Sequence, residues 1–128
     1  MIRLVIAEDH LSFSEGIALF LKYEEDIEIV GLVKNGKELL ELVNLKKPSV
    51  VVTDIRMPII DGIAATKTIL KSHPTTKIIA FTMFDQQKAL DQMLRAGAKG
   101  YVLKNSSLKT LLTAIRQVAS GKSFFDSA

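Results

Sequence analysis

The sequence contains no cysteine among its 128 residues. Disulfide bonds, thiol catalysis and zinc–thiolate sites are therefore excluded together. No apolar run approaches the roughly 20 residues that a membrane-spanning helix needs. Glu8 and Asp9 interrupt the first apolar stretch, so we expect neither a signal peptide nor contact with a membrane. These absences predict a cytoplasmic protein.

A strong excess of one charge is also absent. The 17 basic and 14 acidic residues give a formal net charge of +3. The basic residues are scattered, and no basic stretch is interleaved with aromatic residues as in many nucleic-acid-binding segments. We interpret the charges as solvated helix faces. This segment is therefore not expected to bind DNA by itself.

The sequence instead shows a regular alternation of two kinds of segment. Short apolar runs rich in β-branched residues are typical of strands buried on both faces of a parallel sheet. The predicted strands are Ile2–Ala7, Ile27–Val33, Val50–Thr53, Lys77–Thr82 and Gly100–Leu103. The segments between them have apolar residues at helical spacing; the first is predicted to open with a capping box, Ser12 and Glu15. Five strand–helix repeats predict an α/β fold, a doubly wound five-stranded parallel sheet. We expect the strand order 2-1-3-4-5, with the second strand at the outside and strands 1 and 3 as neighbours.

Four of the five predicted strands end in charged or hydroxyl side chains, namely Glu8-Asp9, Asp54, Thr82 and Lys104. In such a sheet, ligands bind beyond the carboxyl ends of the strands, where the strand order reverses. Three carboxylates meeting there would repel one another unless a cation joined them, and Mg²⁺ prefers such oxygen ligands. Taken alone, Glu8 and Asp9 could equally start a helix, where acidic side chains favour the dipole. Their combination with Asp54 and Lys104 indicates a metal site.

Asp54 is the candidate nucleophile, because a carboxylate can accept a phosphoryl group as an acyl phosphate. Lys104 could offset charge on the phosphate oxygens, and the Thr82 hydroxyl could donate a hydrogen bond to one of them. A single aspartate at the end of a strand is more often a turn former or a helix cap. The prediction therefore depends on the whole set of residues.

These residues, with the runs Asp54–Gly62 and Ala96–Lys104, resemble the receiver domain of bacterial two-component response regulators. The resemblance covers essentially the whole chain, and five separated motifs follow one another in the family's order. His10 after the acid pair, Asn105 after Lys104 and a last helix closing on Gly121 are most similar to the NarL/FixJ (LuxR-type) subfamily. The resemblance implies a flavodoxin-like (βα)5 fold. It also implies a protein that is not an enzyme beyond Mg²⁺-dependent self-phosphorylation and dephosphorylation.

The resemblance further implies a role for each matching residue. Asp54 would be the phosphoacceptor and a metal ligand. Asp9 would bind Mg²⁺ directly and Glu8 through water, while Arg56 would offer its backbone carbonyl. We interpret His10 as a structural residue beside the start of the first helix.

The same resemblance implies a switch. Thr82 and Lys104 would contact the phosphoryl group, and Tyr101 would change orientation with Thr82. The change would reach the surface formed by the fourth helix, the fifth strand and the fifth helix.

Two positions depart from the common receiver pattern. Glu8 stands where many receivers have Asp; it keeps the charge but is expected to alter the metal geometry. Asn105 stands where many have a proline joined to the lysine by a cis peptide. A cis bond without proline costs about 2.5–4 kcal/mol, which disfavours that geometry here.

Other function classes fit less well. Haloacid-dehalogenase-like phosphatases place an acid/base aspartate two residues after their nucleophile, whereas this chain has Arg56. A flavodoxin-like cofactor binder needs a phosphate-cradling loop after the first strand, where Glu8 and Asp9 would repel phosphate. A stand-alone phospho-switched domain, or an unphosphorylated protein-interaction module that keeps only the fold, stays an alternative.

The predicted domain spans residues 1–121, and residues 122–128 form a tail or the start of a linker. The subfamily resemblance implies a following C-terminal helix-turn-helix domain that is absent from this chain. The expected partners are a sensor histidine kinase, a second copy on phosphorylation, and DNA only through that absent domain. The expected output is regulation of transcription.

Overall fold

A computed structural model describes residues 1–83 and 87–126. All five predicted strands are present with the predicted bounds, and each is followed by a helix. The elements in chain order are β1 (Ile2–Ala7), α1 (Leu11–Leu21), β2 (Ile27–Val33), α2 (Gly36–Lys46), β3 (Val50–Thr53), α3 (Gly62–Ser72), β4 (Lys77–Thr82), α4 (Gln87–Ala96), β5 (Gly100–Leu103), α5 (Leu108–Ala119) and β6 (Phe124–Phe125).

The sheet is parallel and its strand order is β2-β1-β3-β4-β5-β6. The predicted order of the first five strands is confirmed, but the predicted number is wrong, because β6 adds a sixth strand beside β5. Phe124 donates its N–H to the Lys99 carbonyl at 3.0 Å and packs against the core. Two residues are too few to show the alternation that predicts a strand. The last two residues of the predicted tail, 127 and 128, lie outside the described residues.

Alternate residues of each strand point to opposite faces of the sheet, as strand geometry requires. Leu4 and Ile6 belong to one core cluster and Val5 and Ala7 to the other. The first cluster also includes side chains of α1 and α5, and the second includes side chains of α2, α3 and α4. Helices therefore cover both faces, and polar side chains at the carboxyl edge of the sheet remain available to a ligand.

The start of α1 differs from the prediction. The helix begins at Leu11, with His10 as the N-cap residue and no side-chain cap, so the predicted capping box of Ser12 and Glu15 is wrong. The His10 carbonyl accepts the first hydrogen bonds of the helix, and the Glu8 carboxylate accepts the His10 N–H at 3.1 Å. This bond brings the helix start forward and ties it to the acid pair.

Over residues 1–83 and 87–126, no helix combines the length and the apolar character that crossing a bilayer would require.

Candidate functional site

The carboxyl ends of β1 and β3 meet where the strand order reverses. The Asp54 N–H donates to the Ala7 carbonyl at 3.0 Å, so the residue after β3 is anchored to the last residue of β1. Glu8, which follows Ala7, is 3% exposed, and Asp54 is 8% exposed. The topology therefore buries two carboxylates next to each other at the ligand-binding edge of the sheet.

The Lys104 side chain enters this edge from the end of β5. Its ammonium donates to Asp54 Oδ2 at 2.9 Å and also to Glu8 Oε1. The same ammonium lies 4.8 Å from the centre of the Phe13 ring, on α1, at a distance typical of a cation–π contact. The Lys104 side chain is only 5% exposed. One buried ammonium therefore forms ion pairs with two buried carboxylates.

The pKa values of the three groups follow from this arrangement. Burial raises the pKa of the Asp54 carboxyl, and the hydrogen bond from Lys104 only partly opposes that effect. Burial acts on Glu8 in the same direction, but hydrogen bonds from Lys104 and His10 outweigh it and hold the pKa of Glu8 below its usual range. Burial alone would lower the pKa of Lys104, but the bonds to Glu8 and Asp54 raise it. Lys104 therefore stays charged, and Asp54 is the carboxylate whose ionised form is least well compensated.

The loop after β3 fixes the position of the Asp54 side chain. Asp54 Oδ1 accepts the Ile55 N–H at 2.8 Å. A Cβ on Gly62 would lie 2.1 Å from the Asp54 carbonyl oxygen, so only glycine permits this close approach. Between them Ile59 has φ 73°, and the Ile60 N–H donates to the Pro58 carbonyl at 2.8 Å, which closes a γ-turn. The tight loop holds the carboxylate at the sheet edge.

A third carboxylate lies at the mouth of the site. Asp9 is exposed, and its Oδ1 lies 3.3 Å from His10 Nδ1, which is also 3.0 Å from Glu8 Oε2. The pKa of the His10 imidazole is raised, mainly by the hydrogen bond to Glu8. A cavity of about 470 Å³ opens beside Glu8 and Asp9 and reaches Lys34 and Glu38. Asp9 is therefore accessible from solvent on this side, while Glu8 stays buried beneath it.

Thr82 and Tyr101 lie below the site on neighbouring strands. Both are buried, and Tyr101 belongs to the core cluster on the face covered by α2, α3 and α4. The Thr82 carbonyl accepts the Lys104 N–H at 2.8 Å. The strand carrying Thr82 is thus joined directly to the residue that contacts Asp54.

A comparison with known families identifies the family of this chain. The model of the response regulator receiver domain matches residues 4–116. This chain belongs to the response regulator receiver family.

Individual relatives place the receiver more narrowly. The oxygen regulatory protein NreC of Staphylococcus epidermidis is 41% identical over 125 residues, which cover 97% of this chain and 57% of NreC. The receiver therefore spans a little over half the length of the curated relatives that it matches. Among solved structures, the isolated REC domain of RcsB from Salmonella enterica serovar Typhimurium, determined with the phosphomimetic BeF3⁻, has a TM-score of 0.90. It is 29% identical, and the match covers 98% of this chain and 94% of that one.

A DNA-binding response regulator of the LuxR family from Staphylococcus aureus is also similar. Its TM-score is 0.88 at 29% identity, with 93% of this chain and 99% of that chain covered. The predicted resemblance to NarL/LuxR-type receivers is therefore confirmed, as is the flavodoxin-like α/β fold apart from its sixth strand.

The structure brings together most of the predicted site residues. Glu8, Asp54 and Lys104 form direct contacts, while Thr82 contacts Lys104 through its backbone. Tyr101 stands on β5 opposite Ala80 of β4, two residues before Thr82. Arg56 lies exposed on the loop after Asp54.

The described side chains that lie close enough to share one metal ion are Glu8, Asp9 and His10, with ligand atoms within 4.8 Å of one another. Asp54 stands outside this group, because the Lys104 ammonium lies between it and Glu8. The predicted ligand set of Glu8, Asp9, Asp54 and the Arg56 carbonyl stays a prediction. Its donors are the hard oxygens that Mg²⁺ prefers, and three carboxylates against one ammonium leave a negative surplus that a divalent ion would neutralise.

Two neighbours of the site make contacts that the sequence did not predict. Phe13 belongs to the apolar spacing of the first helix, and its ring lies under the Lys104 ammonium and also contacts Phe81 edge-on. His10 was expected to be structural, and it is the N-cap residue, but its ring also bonds the Glu8 carboxylate. No local pattern could have indicated the Phe13 contact, which depends on residues 91 positions apart.

The structure also shows the geometry of the peptide bond before Asn105, where many receivers have a cis proline. No peptide bond in residues 1–83 and 87–126 is cis, so Lys104–Asn105 is trans.

Proposed function

We propose that this receiver takes a phosphoryl group onto Asp54 from a sensor histidine kinase and uses it to switch an output. The observation that best supports this proposal is the buried Lys104 ammonium held between Asp54 and Glu8. An ammonium fixed 2.9 Å from the acceptor oxygen is placed to offset charge on an incoming phosphoryl group. We do not assign the receiver an enzymatic activity toward any separate substrate.

In the proposed transfer, an oxygen of the Asp54 carboxylate forms a bond to phosphorus. The bond from phosphorus to the donor atom breaks, and its electron pair leaves with the donor, which is the kinase imidazole or, with acetyl phosphate, acetate. Lys104 and the Thr82 hydroxyl contact the transferred oxygens. Mg²⁺, held by Asp9, Asp54, the Arg56 carbonyl and, through water, Glu8, would neutralise their remaining charge.

The proposal is tested by intact mass of the protein after incubation with acetyl phosphate. We expect a gain of a single phosphoryl group in the presence of Mg²⁺ and none with a chelator. A receiver that keeps its mass in both conditions would instead be an unphosphorylated interaction module.

The acid cluster should make the fold sensitive to Mg²⁺. A ligand that binds only the folded state stabilises it by mass action, by about 1.4 kcal/mol at ten times its Kd. Thermal melts should therefore shift upward as Mg²⁺ is added, and Asp9→Ala should blunt the shift. Glu28→Ala, which removes an exposed carboxylate on β2, is the matched control and should respond like the wild type. A wild-type midpoint that does not respond to Mg²⁺ would rule out the site.

Phosphorylation should alter the surface formed by α4, β5 and α5. Thr82, drawn toward the phosphoryl oxygens, would leave space that the buried Tyr101 side chain can enter, which biases a two-state element. With BeF3⁻ and Mg²⁺, hydrogen exchange should change in Gln87–Ala96 and Gly100–Leu103. Changes restricted to α1 and α2 would show that the switch lies elsewhere.

The proposed setting is a two-component pathway in the cytoplasm. Its output would be transcription, through a DNA-binding domain separate from the receiver. The similarity to the DNA-binding response regulator of the LuxR family from S. aureus supports that output. We further propose that phosphorylation favours a homodimer.

A further inference from the structure

The segment after α5 makes contacts that the receiver's proposed chemistry does not use. Phe124 donates its N–H to the Lys99 carbonyl at 3.0 Å, and Asp126 donates its N–H to the Tyr101 carbonyl at 2.8 Å. These bonds place residues 124–126 along β5, the strand that ends one residue before Lys104.

The side chain of Asp126 then turns toward the end of β5. Its Oδ2 accepts the Leu103 N–H at 3.3 Å and also the Ser106 hydroxyl. In a continued parallel ladder, the Leu103 N–H would pair with a backbone carbonyl of the neighbouring strand. The Asp126 carboxylate takes that place and ends the strand pairing.

Leu103 and Ser106 are the two ends of one tight turn. The Ser106 N–H donates to the Leu103 carbonyl at 3.0 Å, and Lys104 and Asn105 lie between them. One carboxylate oxygen therefore joins both ends of the turn that carries Lys104. On the other side, the Lys104 N–H is held by the Thr82 carbonyl at 2.8 Å.

We propose that Asp126 is a positioning residue for Lys104: its carboxylate clamps the Leu103–Ser106 turn and so sets where the ammonium meets Asp54. The inference deepens the proposed function and rests on it for its effect on phosphoryl binding. Coupling between two sites is reciprocal. A phosphoryl group that binds the Lys104 ammonium therefore also changes the strength of the bonds between the turn and residues 124–126. The clamp thereby links the phosphoryl site to the chain that follows α5.

The test compares variants of the full chain by amide exchange and by binding of BeF3⁻ with Mg²⁺. Asp126→Ala removes both bonds, and Ser106→Ala removes one. Asp126→Asn keeps an amide oxygen that can accept both. We expect the Leu103 amide to exchange about tenfold faster and BeF3⁻ to bind about fivefold more weakly in Asp126→Ala. Ser106→Ala should show a smaller change in the same direction, and Asp126→Asn should recover most of the wild-type behaviour.

Two controls separate the clamp from other effects. Ser123→Ala changes an exposed serine of the same segment, and Glu28→Gln removes one distant exposed carboxylate charge; both should match the wild type. Core amides of β1 and β3 should exchange at wild-type rates in every variant. If Asp126→Asn is as impaired as Asp126→Ala, charge rather than hydrogen bonding is responsible and the clamp is overturned. Unchanged Leu103 exchange in Asp126→Ala overturns it as well.

The proposed function can fail separately. If the wild type binds no BeF3⁻, phosphoryl binding at Asp54 is wrong. The clamp is then decided by Leu103 exchange and by the Lys104 side-chain ammonium signal in nuclear magnetic resonance spectra. That signal should broaden or shift in Asp126→Ala if the clamp is right and stay unchanged if it is wrong.

Discussion

Replacing Lys104 by methionine is expected to lower the free energy of unfolding by about 3 kcal/mol at neutral pH, because removing one partner of a buried ion pair leaves an uncompensated charge. Here two carboxylates, Glu8 and Asp54, share the one ammonium. Methionine preserves much of the length and apolar character of the lysine stem, so lost packing against Phe13 contributes little. Chemical denaturation of both proteins provides the measurement.

The deficit should depend on pH in a defined direction. Burial already raises the pKa of Asp54 in the wild type. When the pKa of an acid is higher in the folded protein than in the unfolded chain, the folded protein has its full stability below the unfolded pKa. That stability is lost as the pH rises through the folded pKa, because the buried group must then ionise. Without Lys104, Glu8 also loses a bond that lowers its pKa. The deficit should therefore be largest at neutral pH and shrink as the pH falls through the raised pKa values.

Two further proteins sharpen this experiment. Adding Asp54→Asn to Lys104→Met removes one of the stranded carboxylates and should recover part of the lost stability. Lys109→Met replaces an exposed lysine of α5 and should stay within about 0.5 kcal/mol of the wild type. If Lys104→Met unfolds at the wild-type denaturant concentration, the carboxylates do not depend on Lys104 for compensation.

The bounds of the first five strands could be predicted because the pattern that indicates a buried strand is local. Val50–Thr53 and Gly100–Leu103 are short apolar runs between polar segments, and such runs suit strands buried on both faces. Parallel strands joined by crossovers have their carboxyl ends at the same edge of the sheet, so Glu8, Asp54 and Lys104 could be predicted to lie there together.

The features that could not be predicted depend on contacts between distant residues. Phe124 and Phe125 form a strand only because β5 offers an unpaired edge, and a two-residue segment carries no period of its own. The predicted capping box of Ser12 and Glu15 is wrong because the helix already begins at Leu11, where the His10 N–H donates to the Glu8 carboxylate. The position of Lys104 between two carboxylates, which separates Asp54 from the Glu8–Asp9–His10 group, is likewise a matter of side-chain geometry.

The central claim is that Asp54 carries the phosphoryl group, and the most direct test is the intact mass of the Asp54→Asn variant after incubation with acetyl phosphate and Mg²⁺. Asparagine keeps the shape of the side chain and an acceptor for the Ile55 N–H, but it lacks the nucleophilic carboxylate. Asp91→Asn, which changes an α4 carboxylate that accepts a bond from Gln87, is the matched control. The wild type and Asp91→Asn should each gain one phosphoryl group, and Asp54→Asn should gain none. Equal labelling of all three proteins would contradict the assignment of Asp54.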